Sequence, residues 1–207
     1  PGVPETTSRG DVDSNWVIRR CDISRALRLS NDSAPGPDGI PYLAWRRLGP
    51  LATEALADVA HALAQPEAAT LLDEAYGGCP PGQHEYNLGL LCCLPKKASG
   101  HLPDGHAFYS AEHTRPLSIV NTDNRLLASA ARFRWEPLLD EWISQQQRGF
   151  LPRRSMLANV VDIDYEAMRV SLTRDNRAIV LFDFEAAFPS ISHTFMFEVL
   201  GRMGLPE

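Results

Sequence analysis

The sequence has 207 residues, 44% apolar and 22% charged, and its 20 Lys and Arg against 26 Asp and Glu give a formal net charge of −6. That balance is ordinary for a globular protein and too apolar for a disordered tail. No run approaches the ~20 apolar residues a membrane helix needs, and the first residues lack the basic start and apolar stretch of a signal peptide. No membrane partner is therefore expected, and the expected compartment is intracellular, nucleus or cytoplasm.

The length suits one domain or one and a half. The chain opens without Met and stops at Gly204-Leu205-Pro206-Glu207, so it is expected to be a piece of something longer. Cys21, Cys79, Cys92 and Cys93 form no CxxC pair, which favours reduced thiols over a disulfide framework. A zinc site drawn from Cys79, His84, Cys92, Cys93, His101 and His106 fits no common module spacing. The mean acidity hides local contrast. Between Arg115 and Arg154 there are seven arginines against four acidic residues, and the chain's two lysines stand together at Lys96-Lys97.

Residues 1 to about 15 read as a lead, followed by a helix from Trp16 to Leu29 with Ile18, Cys21, Ile23, Ala26 and Leu27 on its apolar side. The stretch SNDSAPGPDGIP, residues 30 to 41, interleaves Pro35 and Pro37 with Gly36 and Gly39, which marks a shaped loop and not a linker. A helix is predicted over about Leu51 to Ala64, stopping before Pro66, and a second apolar segment follows near Ala68 to Tyr76. Residues 86 to 95 read as a short buried strand, with Arg115 to Val120 as its antiparallel partner after a loop of turn-forming residues. Asn121 or Thr122 can cap a helix carrying Leu126, Leu127, Ala130 and Phe133, which Pro137 then kinks or ends. Gln145 to Arg154 is irregular and basic. Ser155 caps a further helix whose core stripe is Leu157, Val161, Tyr165, Met168 and Leu172. Ala178-Ile179-Val180-Leu181-Phe182 then reads as a strand buried on both faces that runs into Asp183.

A carboxylate at the end of such a strand is costly to desolvate unless a donor or a cation meets it. Asp183 is thus either a hydrogen-bonded cap or a metal ligand, and on position alone both readings stand. Glu185, two residues on, is either on the same side or a solvated turn residue.

The segment AIVLFDFEAAFPSISH, residues 178 to 193, resembles motif A of reverse transcriptases, above all the D-F-x-x-A-F pattern of non-LTR retrotransposons (LINE-like elements). The resemblance covers most of the chain. APGPDGIP at 34 to 41 is similar to the loop that opens these domains. LPKK at 94 to 97 and TRPLSIVNTDNRLLA at 114 to 128 are similar to the finger motifs, and QQRGFLPRRSMLANV at 146 to 160 to the Q-x-G-F-x-x-x-R-S segment before the palm.

The resemblance implies an α+β fold of the right-hand polymerase kind. Residues 1–29 would be a lead with a short helix, 30–170 the fingers, and 171–207 the start of a ferredoxin-like palm, with its first strand and helix. It implies RNA-directed DNA polymerisation on an RNA template and DNA primer with deoxynucleotide triphosphates, using two Mg2+ or Mn2+ ions. Asp183 would be the catalytic metal-binding carboxylate, with the Phe184 backbone carbonyl on the same ion. Lys96, Lys97 and Arg115 would meet the triphosphate, and Phe188 would exclude ribose. Gln147, Arg153 and Arg154 would face the template. Without the resemblance, the lysines decorate a hairpin tip, Arg115 pairs with Glu112, and Phe188 is a core residue.

Pro189 stands where the family commonly has Asp, and no Asp follows Asp183, so the second metal-binding pair is absent from this sequence. The chain alone is therefore expected to be inactive. The alternative is a non-catalytic remnant that binds RNA or a protein partner. An intron-type maturase stays open within the first class, and an unrelated metal-dependent hydrolase built on Asp183 is a weaker third reading.

Overall fold

The computed structural model describes residues 16–75, 86, 88–140, 142–173, 176–184 and 190–205. They form a mixed α and β structure with small antiparallel sheets, in keeping with an α+β class. The chain divides into two compact units, Val17–Arg134 and a second made of Pro1–Trp16 with Trp135–Glu207.

The first unit begins with α1 (Arg20–Leu29), which presents Ile23, Ala26 and Leu27 to the core. It starts four residues later than predicted, where the Arg19 amide donates to the Asp22 carboxylate at 3.1 Å and closes the first turn. Helices α2 (Tyr42–Leu48) and α3 (Pro50–Leu63) follow the loop. The sequence reading missed α2, which spans only seven residues. Gly49 separates the two helices with φ 55°, a conformation that favours glycine, and Pro50 opens α3 where a missing amide costs nothing. The predicted helix over 51 to 64 is α3, and the segment after it is α4 (Ala68–Ala75).

Strand β1 (Gly89–Pro95) pairs with β4 (Thr114–Val120) as the predicted antiparallel ribbon, in a register that sets Cys92 opposite Leu117 and Leu94 opposite Arg115. Between them, β2 (Gly100–His101) and β3 (Ala107–Phe108) make a small hairpin turned at Pro103-Asp104-Gly105. The expectation that β1 is buried is wrong: Leu90, Leu91 and Leu94 are all exposed. Among the described residues the ribbon has only two strands, and a two-stranded ribbon cannot cover both of its own faces.

Helix α5 (Thr122–Asp140) supplies the last wall of the core with Leu126, Leu127 and Ala130. It runs three residues past Pro137, which neither ends it nor stands at its margin. Proline there forgoes one bond to the carbonyl of Phe133, and the helix tolerates the loss. The unit boundary falls inside α5, between Arg134 and Trp135.

The loop over 30–41 is held by α5. Gly36 lies so close to Asn121 that an added Cβ would come within 2.4 Å of the Asn121 Cα. The Asp38 amide donates to Asn121 Oδ1 at 3.2 Å. Thr122 is fully buried, accepting from Trp45 Nε1 at 2.9 Å and donating to the Ile40 carbonyl at 2.8 Å. Arg125 reaches the Ala34 carbonyl at 2.6 Å, and Arg46 of α2 reaches the Ser30 carbonyl at 2.9 Å and the Asp32 carboxylate.

In the second unit, Trp135 donates from its indole to the Trp16 carbonyl at 2.8 Å, and the two rings meet edge to face. Helix α6 (Met156–Thr173) is capped by Ser155, whose hydroxyl accepts from the Leu157 amide, as predicted. Its expected core stripe is exposed, from Leu157 at 73% to Leu172 at 85%. Residues 176–184 form no strand, which corrects the reading of 178–182, and Ile179, Val180, Leu181 and Phe182 are exposed. A strand exists only through a ladder to a neighbour, and no described segment pairs with this one. Helix α7 (His193–Arg202) follows, capped by Ser192 onto the Phe195 amide at 3.3 Å.

Two substitutions test the loop's anchorage. Thr122→Val leaves the Trp45 indole and the Ile40 carbonyl without a buried partner and is expected to cost about 2–4 kcal/mol in a denaturant titration. Gly36→Ala should be comparably damaging because the loop must lift from Asn121. An unchanged midpoint in both variants would remove α5 as the loop's anchor.

Candidate functional site

The ribbon gathers the basic residues that the sequence reading marked for a triphosphate. β1 ends at Pro95, and the chain turns back under hydrogen bonds from the Lys96 and Lys97 amides to the same carbonyl, that of His113, at 2.9 and 3.4 Å. Arg115 lies two residues beyond that carbonyl, opposite Leu94. Strand alternation puts Leu94 and Arg115 on one face, and Lys96 and Lys97 follow directly after the end of β1. All three cations are exposed, and none makes an ion pair among the described residues. Arg115 does not pair with Glu112, whose carboxylate instead accepts from Ser110 Oγ at 3.3 Å.

A polar cluster fixes the geometry at this end of the ribbon. Ser99 Oγ lies 2.6 Å from His113 Nδ1 and 2.8 Å from Ser110 Oγ, and it accepts from the Ser110 amide at 2.8 Å. The half-buried imidazole of His113 is thereby pinned while its carbonyl holds both lysine amides. Sequence reasoning missed this role, because nothing in the spacing of Ser99, Ser110 and His113 marks them as neighbours. The β2–β3 hairpin is what brings residues 99 and 110 together.

The residues expected to face a template divide. Gln147 bonds within its own loop, to the Gly149 carbonyl at 3.2 Å. Arg153 is exposed and sits at φ 62°, and Phe150 in the same loop is 94% exposed at φ 61°. Both are left-handed positions that non-glycine residues occupy at some cost. Arg154 is engaged within its own chain. Its guanidinium donates to the carbonyls of Ser144, Gln147, Asp140 and Ile143, and to the Asp140 carboxylate at 2.6 Å. With only 10% of its side chain exposed, it is the post that ties Asp140, Ile143, Ser144 and Gln147 together. Arg148 is likewise engaged, with Asp162 of α6 at 2.6 Å.

Asp183 and Phe184 lie in the second unit, on the extended segment, and both are exposed. The expected position of Asp183 at the end of a strand is not found. Phe188, Glu185 and Pro189 lie outside the described residues, as do Cys79 and His84. Among the described residues no three Cys, His, Asp or Glu side chains converge as a metal site would require. On the outer side of α6, the Arg169 guanidinium bonded to Glu166 holds that carboxyl below its ordinary range, a solvated pair on one helix.

The two adjacent arginines should separate cleanly. Arg154→Ala strips four carbonyls and a carboxylate of their donor and is expected to cost about 2–4 kcal/mol. Arg153→Ala should stay within about 0.5 kcal/mol of the parent in the same urea titration. Equal effects would mean that the guanidinium of Arg154 does not hold the loop.

No family model matches the chain. It is similar to the uncharacterized 149 kDa protein of transposon TX1 from Xenopus laevis, at 27% identity over 209 residues. That alignment takes in 96% of this chain but 14% of the transposon protein. Among the described residues no helix is long and apolar enough to cross a membrane. The chain thus resembles a segment of a transposon-encoded protein along nearly all of its length.

Proposed function

We propose that the chain is the fingers region and the beginning of the palm of an RNA-directed DNA polymerase, the reverse transcriptase of a LINE-like retrotransposon. One observation carries the reading: Lys96, Lys97 and Arg115 stand together at one end of the β1–β4 ribbon with no acidic partner among the described residues. Three cations side by side at one ribbon end, without an acidic partner among the described residues, suit a polyanion. Lysine supplies a compact charge, and arginine grips phosphate oxygens through two parallel bonds. The order of the sequence motifs and the likeness to a transposon protein both support the same assignment.

In this reading the ribbon meets the triphosphate of an incoming deoxynucleotide, and Phe188 bars the 2′-hydroxyl of a ribonucleotide. Arg153 follows the phosphates of the RNA template paired to the DNA primer. Asp183 and the carbonyl of Phe184 belong to the ligand set for Mg2+ or Mn2+, which supplies Lewis acidity in the complete enzyme. Since one carboxylate does not complete that set, the 207-residue chain binds nucleotide without polymerising it.

Calorimetric titration with a deoxynucleotide triphosphate in Mg2+ tests the assignment directly. The paired change Lys96→Ala with Lys97→Ala, and separately Arg115→Ala, should each weaken binding about tenfold or more, since a charge-assisted bond is worth roughly 1.5–3 kcal/mol. The circular dichroism spectrum should be unaltered. Unchanged affinity in both variants would favour the other reading, a remnant that binds RNA or a protein without nucleotide chemistry. Primer extension on an RNA template should give no product from the chain alone. In a longer protein that carries the second Asp pair, Phe188→Val should raise ribonucleotide incorporation with only a modest loss of deoxynucleotide use.

A further inference from the structure

Phe133 of α5 carries two guanidinium groups on one ring. Arg25 of α1 sits 4.3 Å from its centroid and Arg132 sits 4.8 Å from it. Each contact is favourable alone, but two cations gathered on one ring repel each other. Neither makes an ion pair among the described residues, and the Asp22 carboxylate one turn before Arg25 is taken by the Arg19 amide. Both side chains are exposed, so their charge is offered to solvent.

A cavity of about 360 Å3 opens beside them, lined by Arg132, Phe133, Ser129, Asn31, Ser30 and Tyr42. Asn31 and Ser129 make no side-chain hydrogen bond among the described residues. Ser30 is already committed, donating to the Leu27 carbonyl and accepting from Arg46. The cavity therefore presents an aromatic ring, the Arg132 cation, an amide and a hydroxyl, and Arg25 stands over the same ring without lining the cavity itself. Its walls are rigid, because Ala26 and Leu126 belong to the core. This set of donors matches the tetrahedral oxygens of a phosphodiester, and the volume suits one nucleotide of a single strand.

We propose that the Arg25–Phe133–Arg132 cluster is a second anion subsite, which takes a backbone phosphate of a single nucleic-acid strand passing over α1 and α5. It is separate from the ribbon's lysines and leans on the preceding reading only for naming a strand as the ligand. Binding supplies the countercharge that the two arginines lack and so lowers the repulsion stored on Phe133. Asn31 and Ser129 orient the phosphate without reading sequence.

Fluorescence anisotropy with a labelled single-stranded RNA 12-mer, titrated across salt concentration, tests this. Each neutralised phosphate contributes roughly −0.7 to the slope of log affinity against log salt for single strands. Arg25→Gln with Arg132→Gln should flatten the slope by about 0.7, the share of one phosphate, and weaken binding severalfold at low salt, while deoxynucleotide triphosphate binding stays unchanged. Lys96→Gln with Lys97→Gln should do the reverse, so failure of this subsite and failure of the nucleotide site are told apart. If the double Gln variant melts early, Arg25→Lys with Arg132→Lys keeps the charges and must keep the slope. An unchanged slope in a folded Gln variant overturns the subsite. Inorganic phosphate that binds as tightly as the oligomer would also overturn it, by showing a free-anion site instead of a strand site.

Discussion

The fold of the first unit depends on five residues, Asn121 to Arg125, where β4 becomes α5. The last residue of the strand is Val120 and the first of the helix is Thr122. Within that step Asn121 receives the loop at Gly36 and Asp38, Thr122 joins α2 to the loop through Trp45 and Ile40, and Arg125 holds Ala34. The direction in which the ribbon leaves the core is set at the same point. Arg115 lies six residues back along an extended strand, about 20 Å away at roughly 3.3 Å per residue. A buried threonine thus aims a cluster of cations that it never touches.

Much of this was legible in the sequence where the signal was local. The prolines and glycines of 35–39 announce a shaped loop, the capping serine at 155 marks a helix start, and Pro95 bounds a strand whose partner follows after turn residues. What was not legible depended on partners remote in the chain. Nothing in PGPDG says that Gly36 must be glycine because Asn121 lies against it. The apolar run at 178–182 has strand composition, yet composition cannot supply the neighbouring ladder. The stripe on α6 has core periodicity, but periodicity states only that one face is apolar. Helix α2 escaped because seven residues carry too few turns for a period to emerge.

The candidate site shows the same limit. The lysine pair and Arg115 could be marked through resemblance, and the ribbon register explains how they share one end. Arg153 and Arg154 could not be told apart, since adjacent residues of one type give identical sequence signals while one faces solvent and the other gathers carbonyls. Arginine dominates the basic residues of this chain because many serve as struts. Arg46, Arg125 and Arg154 each bind backbone oxygens with a planar fork that lysine does not have. The charges left over for a polyanion are few and local, which is why a net charge of −6 says little about what the surface can bind.

The exposed run from Ala178 to Phe182 has a consequence for handling the molecule. Five apolar residues, rich in β-branched and aromatic types and lacking proline, have the makeup of a segment that stacks with copies of itself. Arg177 and Asp183 stand at its two ends as gatekeepers, placing a charge where a growing stack would have to bury it. Asp183 then has this role beside the metal-binding one proposed for it, and a neutral substitution removes both together. In a longer protein that carries the second Asp pair, a lost activity in Asp183→Ala would mix chemistry with precipitation, whereas Asp183→Glu keeps the charge at the edge of the run and changes only where the carboxylate can reach.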